Sequence, residues 1–265
     1  MSADPLSLLL TGWAASAVGM VVLWVVDRRV RKASLADVGW CYGLALVVLW
    51  YAGSVSGEPA RQWLVAAMVA IYALRLGSHI LIDRVISTPE DGRYRALRLR
   101  WGEHESFRMF WYFQLQAAGI ALFSLPPLVV MQNPHPPFHF CDLAGVLLWL
   151  VAVTGEAMAD WQLATFRGKT WNKDRVCNSG LWRYSRHPNY FFEWLHWWSY
   201  VLMGLASPLG NWALTLIGPM VMGVALLKVT GIPWNEAQAS LTRGQEYRTY
   251  QRTTSAFIPW FPRRP

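Results

Sequence analysis

The chain has 265 residues, of which 54% are hydrophobic and only 15% charged, with 17 tryptophans. A soluble domain carries roughly a quarter charged residues, so this balance excludes an ordinary soluble enzyme and points to a protein immersed in lipid. The net charge of +8 would suit a nucleic-acid binder only if the basic residues formed one face of a soluble domain; they lie between apolar runs instead, and report topology. Cys41, Cys141 and Cys177 are too few and too scattered for a disulfide framework and show no CxxC spacing for zinc.

A helix crossing hydrocarbon needs ~20 predominantly apolar residues, and the chain offers such runs in order. The first is Leu6 to Val26, followed by the stop-transfer flank Asp27-Arg28-Arg29-Val30-Arg31-Lys32, so it is expected to stay in the mature protein. The second is Val38 to about Ser56, and the third Trp63 to Ile82, with Arg75 and His79 inside it. The fourth runs from about Met109 to Asn133 through Pro126-Pro127, and the fifth from Leu143 to Leu163, with Glu156 and Asp160 near its end. The sixth starts near Tyr190 and carries Glu193 and His196; the seventh covers Trp212 to about Val229, leaving a polar tail.

Lys and Arg in short loops concentrate on the cytoplasmic side. All but two of the 24 Lys and Arg fall in the flank after the first run, the 84–108 and 167–186 segments, and the tail with its flank, which are alternate loops. The exceptions are Arg61, in the short loop before the third run, and Arg75, within it. The expected fold is an all-α integral membrane protein of seven transmembrane helices, N-terminus outside and C-terminus cytoplasmic, with residues 1–265 as one polytopic domain. The strong Arg-over-Lys bias suggests a GC-rich bacterial genome and therefore the inner (cell) membrane. The outer loops are short and rich in Gly, Pro and Ser, so function is expected on the cytoplasmic side.

Ionisable groups within a span are costly and normally face a partner or a cavity. Here they are Asp37, Arg75, His79, Glu156, Asp160, Glu193 and His196, all toward cytoplasmic ends; structural ion pairing and snorkelling are the ordinary alternative. Glu156 and Asp160, four apart, share a helix face. They precede Phe166-Arg167-Gly168-Lys169-Thr170-Trp171-Asn172-Lys173-Asp174-Arg175, and two acids beside a basic run suit a ligand with both hydroxyls and phosphates. Next come Arg183, Tyr184, Arg186, His187 and Asn189, a dense polar array in which Pro188 disfavours helix at His187. A helix starting near Asn189 would aim its amides at a bound anion. Chemistry alone reads this as a site for a phosphate-bearing ligand. Gly168-Lys169-Thr170 lacks the first glycine of a P-loop, no GxGxxG occurs, and His135 with His139 sits in a Pro-rich turn, so a Rossmann site and a metal are set aside.

The stretch Gly180 to Glu193 (GLWRYSRHPNYFFE), the upstream Asp160 to Arg167 pattern and the closing Thr254-Ser255-Ala256-Phe257-Ile258-Pro259 resemble the C-terminal domain of the steroid 5α-reductase family, bacterial members included. The likeness is strongest from Glu156 to Tyr200. It implies that 142–265 is a cofactor-binding part taking NADPH, with roles for Glu156, Asp160, Arg167, Arg175, Asn189 and Glu193, where Glu156 replaces a frequent Asn. Asn172, Arg183, Tyr184, Arg186, His187, Glu236 and Tyr247 complete the candidate cofactor contacts. The resemblance also covers Asp37, standing where eukaryotic relatives carry a Glu, and Tyr72-Ala73-Leu74-Arg75, with Tyr72 and Arg75 on one helix face. It implies Tyr72, oriented by Asp37, as hydrogen-bond donor to a substrate carbonyl, Arg75 at the cofactor, and Gln116 and Trp197 near the substrate. The implied activity is hydride transfer to the C=C bond of a small apolar enone, such as a 3-oxo-Δ4-steroid, entering from the bilayer lipid.

Two other readings remain open. Isoprenylcysteine-type membrane methyltransferases, which use S-adenosylmethionine, share an Arg-His-Pro and aromatic pattern with a downstream Glu and Tyr, matched by Glu236 and Tyr247. A non-catalytic sterol- or lipid-binding membrane protein is the third.

Overall fold

The computed structural model describes residues 4–87, 89–207 and 210–263. The described residues are helical throughout, apart from turns, loops and one isolated parallel bridge between Ser185 and Ser255. The chain divides into two compact units, Met1–Asp142 with Met203–Ile217, and Leu143–Leu202 with Gly218–Pro265.

The first unit starts with α1 (Pro5–Val30), opened by Pro5 and by the Asp4 carboxylate accepting from the Ser7 amide at 3.0 Å. The α1 residues Leu8, Gly12, Ser16 and Met20 are buried at four-residue spacing, one narrow stripe. Leu6, Leu10, Val18 and Val22 are exposed around the rest of the helix. Water would not leave so much apolar surface uncovered, whereas hydrocarbon does. Helix α2 (Leu35–Ala52) packs against α3 (Pro59–Ile80), and both pack against α5 (Glu105–Met131). Trp40 meets Phe123 edge-on at 5.5 Å across the α2–α5 contact. Helix α3 continues as a π-helical turn, Leu81–Ile86, and a short helix, α4 (Gly92–Trp101), stands before α5.

The second unit contains α6 (Phe140–Arg167) from Leu143 onward, most of α7 (Pro188–Gly204), α8 (Ile217–Val224) from Gly218 onward and α9 (Ile232–Thr253). A Cβ on Gly155 of α6 would lie 2.6 Å from the Phe192 ring of α7, so glycine is what permits this close approach. The Trp182 indole donates to the Ala159 carbonyl at 3.0 Å and fixes the following loop onto α6. Gly180, at φ +58°, lies beneath Gln162, whose side-chain oxygen would be 2.5 Å from an added Cβ and accepts from the Leu181 amide at 2.9 Å. Gly180→Ala should therefore cost at least about 1–2 kcal/mol from the left-handed backbone alone. Thermal melting in detergent should fall, and a companion Gln162→Ala should recover only the steric part. Unchanged melting in Gly180→Ala would discard this account.

Six helical stretches among the described residues are long and apolar enough to cross a membrane: Pro5–Val30, Leu35–Ala52, Pro59–Ile86, Gly92–Met131, Phe140–Arg167 and Trp212–Thr253. The chain is a membrane protein on this ground. The sequence expectation was seven. The run beginning near Tyr190 forms α7, whose 17 residues span about 25 Å at ~1.5 Å per residue, shorter than the other spans. Two further differences concern segments read as loop or polar tail, which fold as α4 and α9. Helix α9 bends at Gly244, which has φ 53° and ψ −125°.

Candidate functional site

In the first unit, Asp37 stands in the opening turn of α2. Its two carboxylate oxygens each accept from the Tyr94 hydroxyl at 2.8 Å, and one also accepts from Arg93 at 3.2 Å. The Tyr94 hydroxyl meets that of Tyr112 at 2.9 Å, and Gln116 donates to the Tyr112 hydroxyl at 3.0 Å. Asp37, Tyr94, Tyr112 and Gln116 thus form one hydrogen-bonded chain from α2 through α4 to α5. Two of its members, Asp37 and Gln116, are candidate site residues from the sequence. Tyr94 and Tyr112 escaped that reading because Tyr94 falls in a basic segment read only for its charge, and Tyr112 in a run read only for its hydropathy. The available signal was an aromatic residue set among arginines, Arg93-Tyr94-Arg95; the structure encloses that ring wholly. Tyr72 is fully buried on α3, and Arg75, three residues on, is half-buried.

In the second unit, Glu156 and Asp160 are both buried on one face of α6. Asn189, in the first turn of α7, donates to the Asp160 carboxylate at 3.1 Å. A carboxylate held inside by an amide presents a fixed acceptor, a geometry that suits a hydroxyl or amide group of a ligand. Glu193 is half-buried one turn further along α7, and Arg167 and Arg175 are exposed on the basic loop. Asn172 donates to the Phe166 carbonyl at 2.9 Å and so caps the C-terminal end of α6.

The remaining candidates are tied to one another. The Arg186 guanidinium donates to Glu236 at 2.6 Å, and to the carbonyls of Gln251 and Thr254 at 2.8 and 2.6 Å. His187 lies 3.3 Å from the same Glu236 oxygen and stacks on Tyr190 with ring planes 8° apart. Gln251 donates to the other Glu236 oxygen at 3.0 Å. Arg186, His187 and Glu236 therefore form a fastening between the α7 entrance and α9. Tyr247 packs with Val176, Ala239 and Tyr250 in a buried cluster. Tyr184, at the surface, accepts from the Trp260 amide at 2.9 Å through its carbonyl. Trp197 is fully buried, edge-on to His196 at 4.8 Å. Burial pushes the Cys177 thiol above the ordinary range, so at neutral pH it is a protonated packing group.

The closing segment joins this frame. The Arg186 amide donates to the Ser255 carbonyl at 2.8 Å, and the Ser185 hydroxyl to the Phe257 carbonyl at 2.8 Å. Phe257 packs on Phe191 and Trp194 of α7. Residues 254–257 thus lie beside residues 185–186, although about seventy positions separate them in the chain.

The model of the family described as "Protein of unknown function (DUF1295)" matches residues 23–254. No curated protein and no solved structure matches the chain.

Proposed function

The chain belongs to that family, whose description assigns no activity, so we propose a function from the site residues: NADPH-dependent reduction of the C=C bond of a membrane-soluble enone such as a 3-oxo-Δ4-steroid. The observation that carries this reading is the Asp160–Asn189 contact at 3.1 Å. It joins the two stretches that resemble the reductases, the end of α6 and the start of α7, in one buried polar focus beside a basic loop. Glu156, Asp160, Asn189 and Glu193 would take the hydroxyl and amide groups of the cofactor, and Arg167 and Arg175 its phosphates. NADPH, when bound, would supply a hydride to the β-carbon, and water the proton that the resulting enolate takes up at the α-carbon. Tyr72 donates a hydrogen bond to the substrate carbonyl oxygen, where negative charge grows as the β-carbon is reduced. Asp37 is the residue proposed to orient Tyr72, and its carboxylate is itself held by Tyr94 and Arg93.

A second reading draws on the contact of Arg186 and His187 with Glu236. This contact unites the Arg-His-Pro pattern and downstream Glu that also resemble the isoprenylcysteine-type methyltransferases. Mass spectrometry of the detergent-purified protein distinguishes the two. Retained NADP(H) supports the reductase, retained S-adenosylmethionine supports the methyltransferase, and sterol or lipid alone supports a binding protein. If the 2′-phosphate meets Arg167 or Arg175, replacing that residue by Ala should weaken NADPH about tenfold or more and NADH far less, since a charge-assisted bond contributes ~1.5–3 kcal/mol. Equal weakening in a titration of both cofactors would place that arginine elsewhere.

The reading includes a seven-span topology with the cofactor side cytoplasmic, in which α7 is the sixth span in chain order; its 17 residues lie at the lower end of the usual range of roughly 17–25. Cysteine-accessibility labelling in intact cells should find the 135–139 turn outside and the 167–186 loop inside. The reverse pattern would invert the model.

A further inference from the structure

The second unit holds a cavity of about 460 Å³, within which Arg183, Arg263, Asn178, Thr249, Glu246 and Tyr250 are the polar lining residues that matter. Its volume falls in the range of small-molecule sites, roughly 300–1,000 Å³. The walls are fixed by backbone contacts. Glu246 accepts from the Val176 amide at 3.1 Å, and the Tyr250 hydroxyl donates to the carbonyls of Trp182 and Ser185. The Arg263 amide donates to the Thr253 carbonyl at 2.8 Å, which holds Arg263 at the cavity. Arg183 comes from the single 3₁₀ turn Gly180–Arg183.

Two other arginines of this unit are spent on the protein itself. Arg186 is saturated by Glu236 and two carbonyls, and Arg243 donates to the Arg175 carbonyl at 2.9 Å. Arg183 and Arg263 are exposed at the cavity, and neither forms an ion pair among the described residues. Two guanidinium groups lining one cavity repel each other unless an anion lies between them, and each offers a planar fork that matches phosphate. Asn178 adds a neutral donor, and Glu246, with one oxygen on the Val176 amide, can accept from a ligand hydroxyl. Tyr250 contributes an apolar wall.

We propose that this cavity is a binding site for a phosphomonoester, with Arg183 and Arg263 sharing the phosphate and Glu246 taking a hydroxyl of the attached group. The site does not depend on the identity of the redox cofactor, because it is defined by binding alone. Its phosphate can come from a soluble nucleotide or from a lipid headgroup.

Isothermal titration of the full chain in phosphatidylcholine nanodiscs tests it, with adenosine 2′,5′-bisphosphate and inorganic phosphate as probes. Saturable binding of the bisphosphate, displaced by inorganic phosphate and not by adenosine, is expected. Arg183→Gln and Arg263→Gln should each weaken it about tenfold or more, while Arg248→Gln, exposed on α9 outside the cavity, leaves it unchanged. Repeating the titration with phosphatidic acid in the nanodiscs separates the sources: competition assigns the site to a lipid headgroup, and undiminished binding to a soluble phosphate. Arg263 lies in the tail after α9, so its variant tests the site even if Arg183→Gln perturbs the turn. No saturable binding of either phosphate probe, or affinities unchanged by both arginine substitutions, would overturn the proposal.

Discussion

On the proposed reductase function, replacing Tyr72 by Phe is expected to lower turnover of a 3-oxo-Δ4-steroid by about a hundred- to a thousandfold, the usual effect of removing one donor to a developing oxyanion, while NADPH binding stays nearly intact. The reason is differential binding: the hydroxyl matters most when charge accumulates on the substrate oxygen, so its loss appears in kcat more than in cofactor affinity. Phe keeps the ring, and Tyr72 is fully buried on α3, so a packing role alone would tolerate the change. Asp37→Asn should also reduce turnover, because it weakens the acceptor for Tyr94 and Arg93. If Asp37 and Tyr72 serve one function, the double variant should lose far less than the product of the single losses. Near-normal enone reduction by Tyr72→Phe would return the donor role to another group, with His79 and water next in line.

The largest effect on stability is expected at Arg61. This residue, read from the sequence as the one basic residue of a short loop, lies in the first turn of α3 and is fully buried against a buried Asp142. Its guanidinium donates to both Asp142 oxygens at 3.1 and 2.8 Å, and to the carbonyls of Asn133, His135 and Pro136 at 3.0, 2.7 and 2.9 Å. Removing one partner strands the other charge away from water, at a cost of about 3–5 kcal/mol. Arg61→Met should therefore lower the melting temperature in detergent steeply. Arg61→Met with Asp142→Leu should recover much of the loss, since a buried pair replaced by apolar groups is often nearly neutral. Melting of Arg61→Met close to that of the unaltered protein would mean that the pair contributes little.

Most of the membrane-spanning helices were legible in the sequence because their signal is local. In hydrocarbon each backbone amide must be satisfied within its own helix, so an apolar run of sufficient length suffices to declare one. Helix α7 sits at the edge of that rule, since Glu193 and His196 interrupt its apolar character and it spans only 17 residues. Helix α9 was not legible at all. Its buried apolar positions, Ile232, Ala239, Tyr247 and Tyr250, are too few and too widely spaced to stand out in the sequence, and it is fastened by Arg186 on Glu236 and by Tyr250 on the carbonyls of Trp182 and Ser185, contacts that local propensity does not encode.

The site divides along the same line. Glu156 and Asp160 on one face of α6, and the array before α7, follow from helical spacing and residue type alone. Which of those residues remain available to a ligand depended on partners distant in the chain. Arg186 meets Glu236 across 50 positions, Tyr94 meets Asp37 across 57, and Arg61 meets Asp142 across 81. A guanidinium in a basic loop has the same composition whether it clamps a neighbouring helix or faces an open cavity. Arg186 and Arg183, three residues apart, differ in this way because the fold brings a carboxylate and two carbonyls to the first and open cavity to the second. Residue type and local spacing determined the membrane helices and the polar stretches; tertiary packing decided which charges are neutralised, because pairing depends on distance in space.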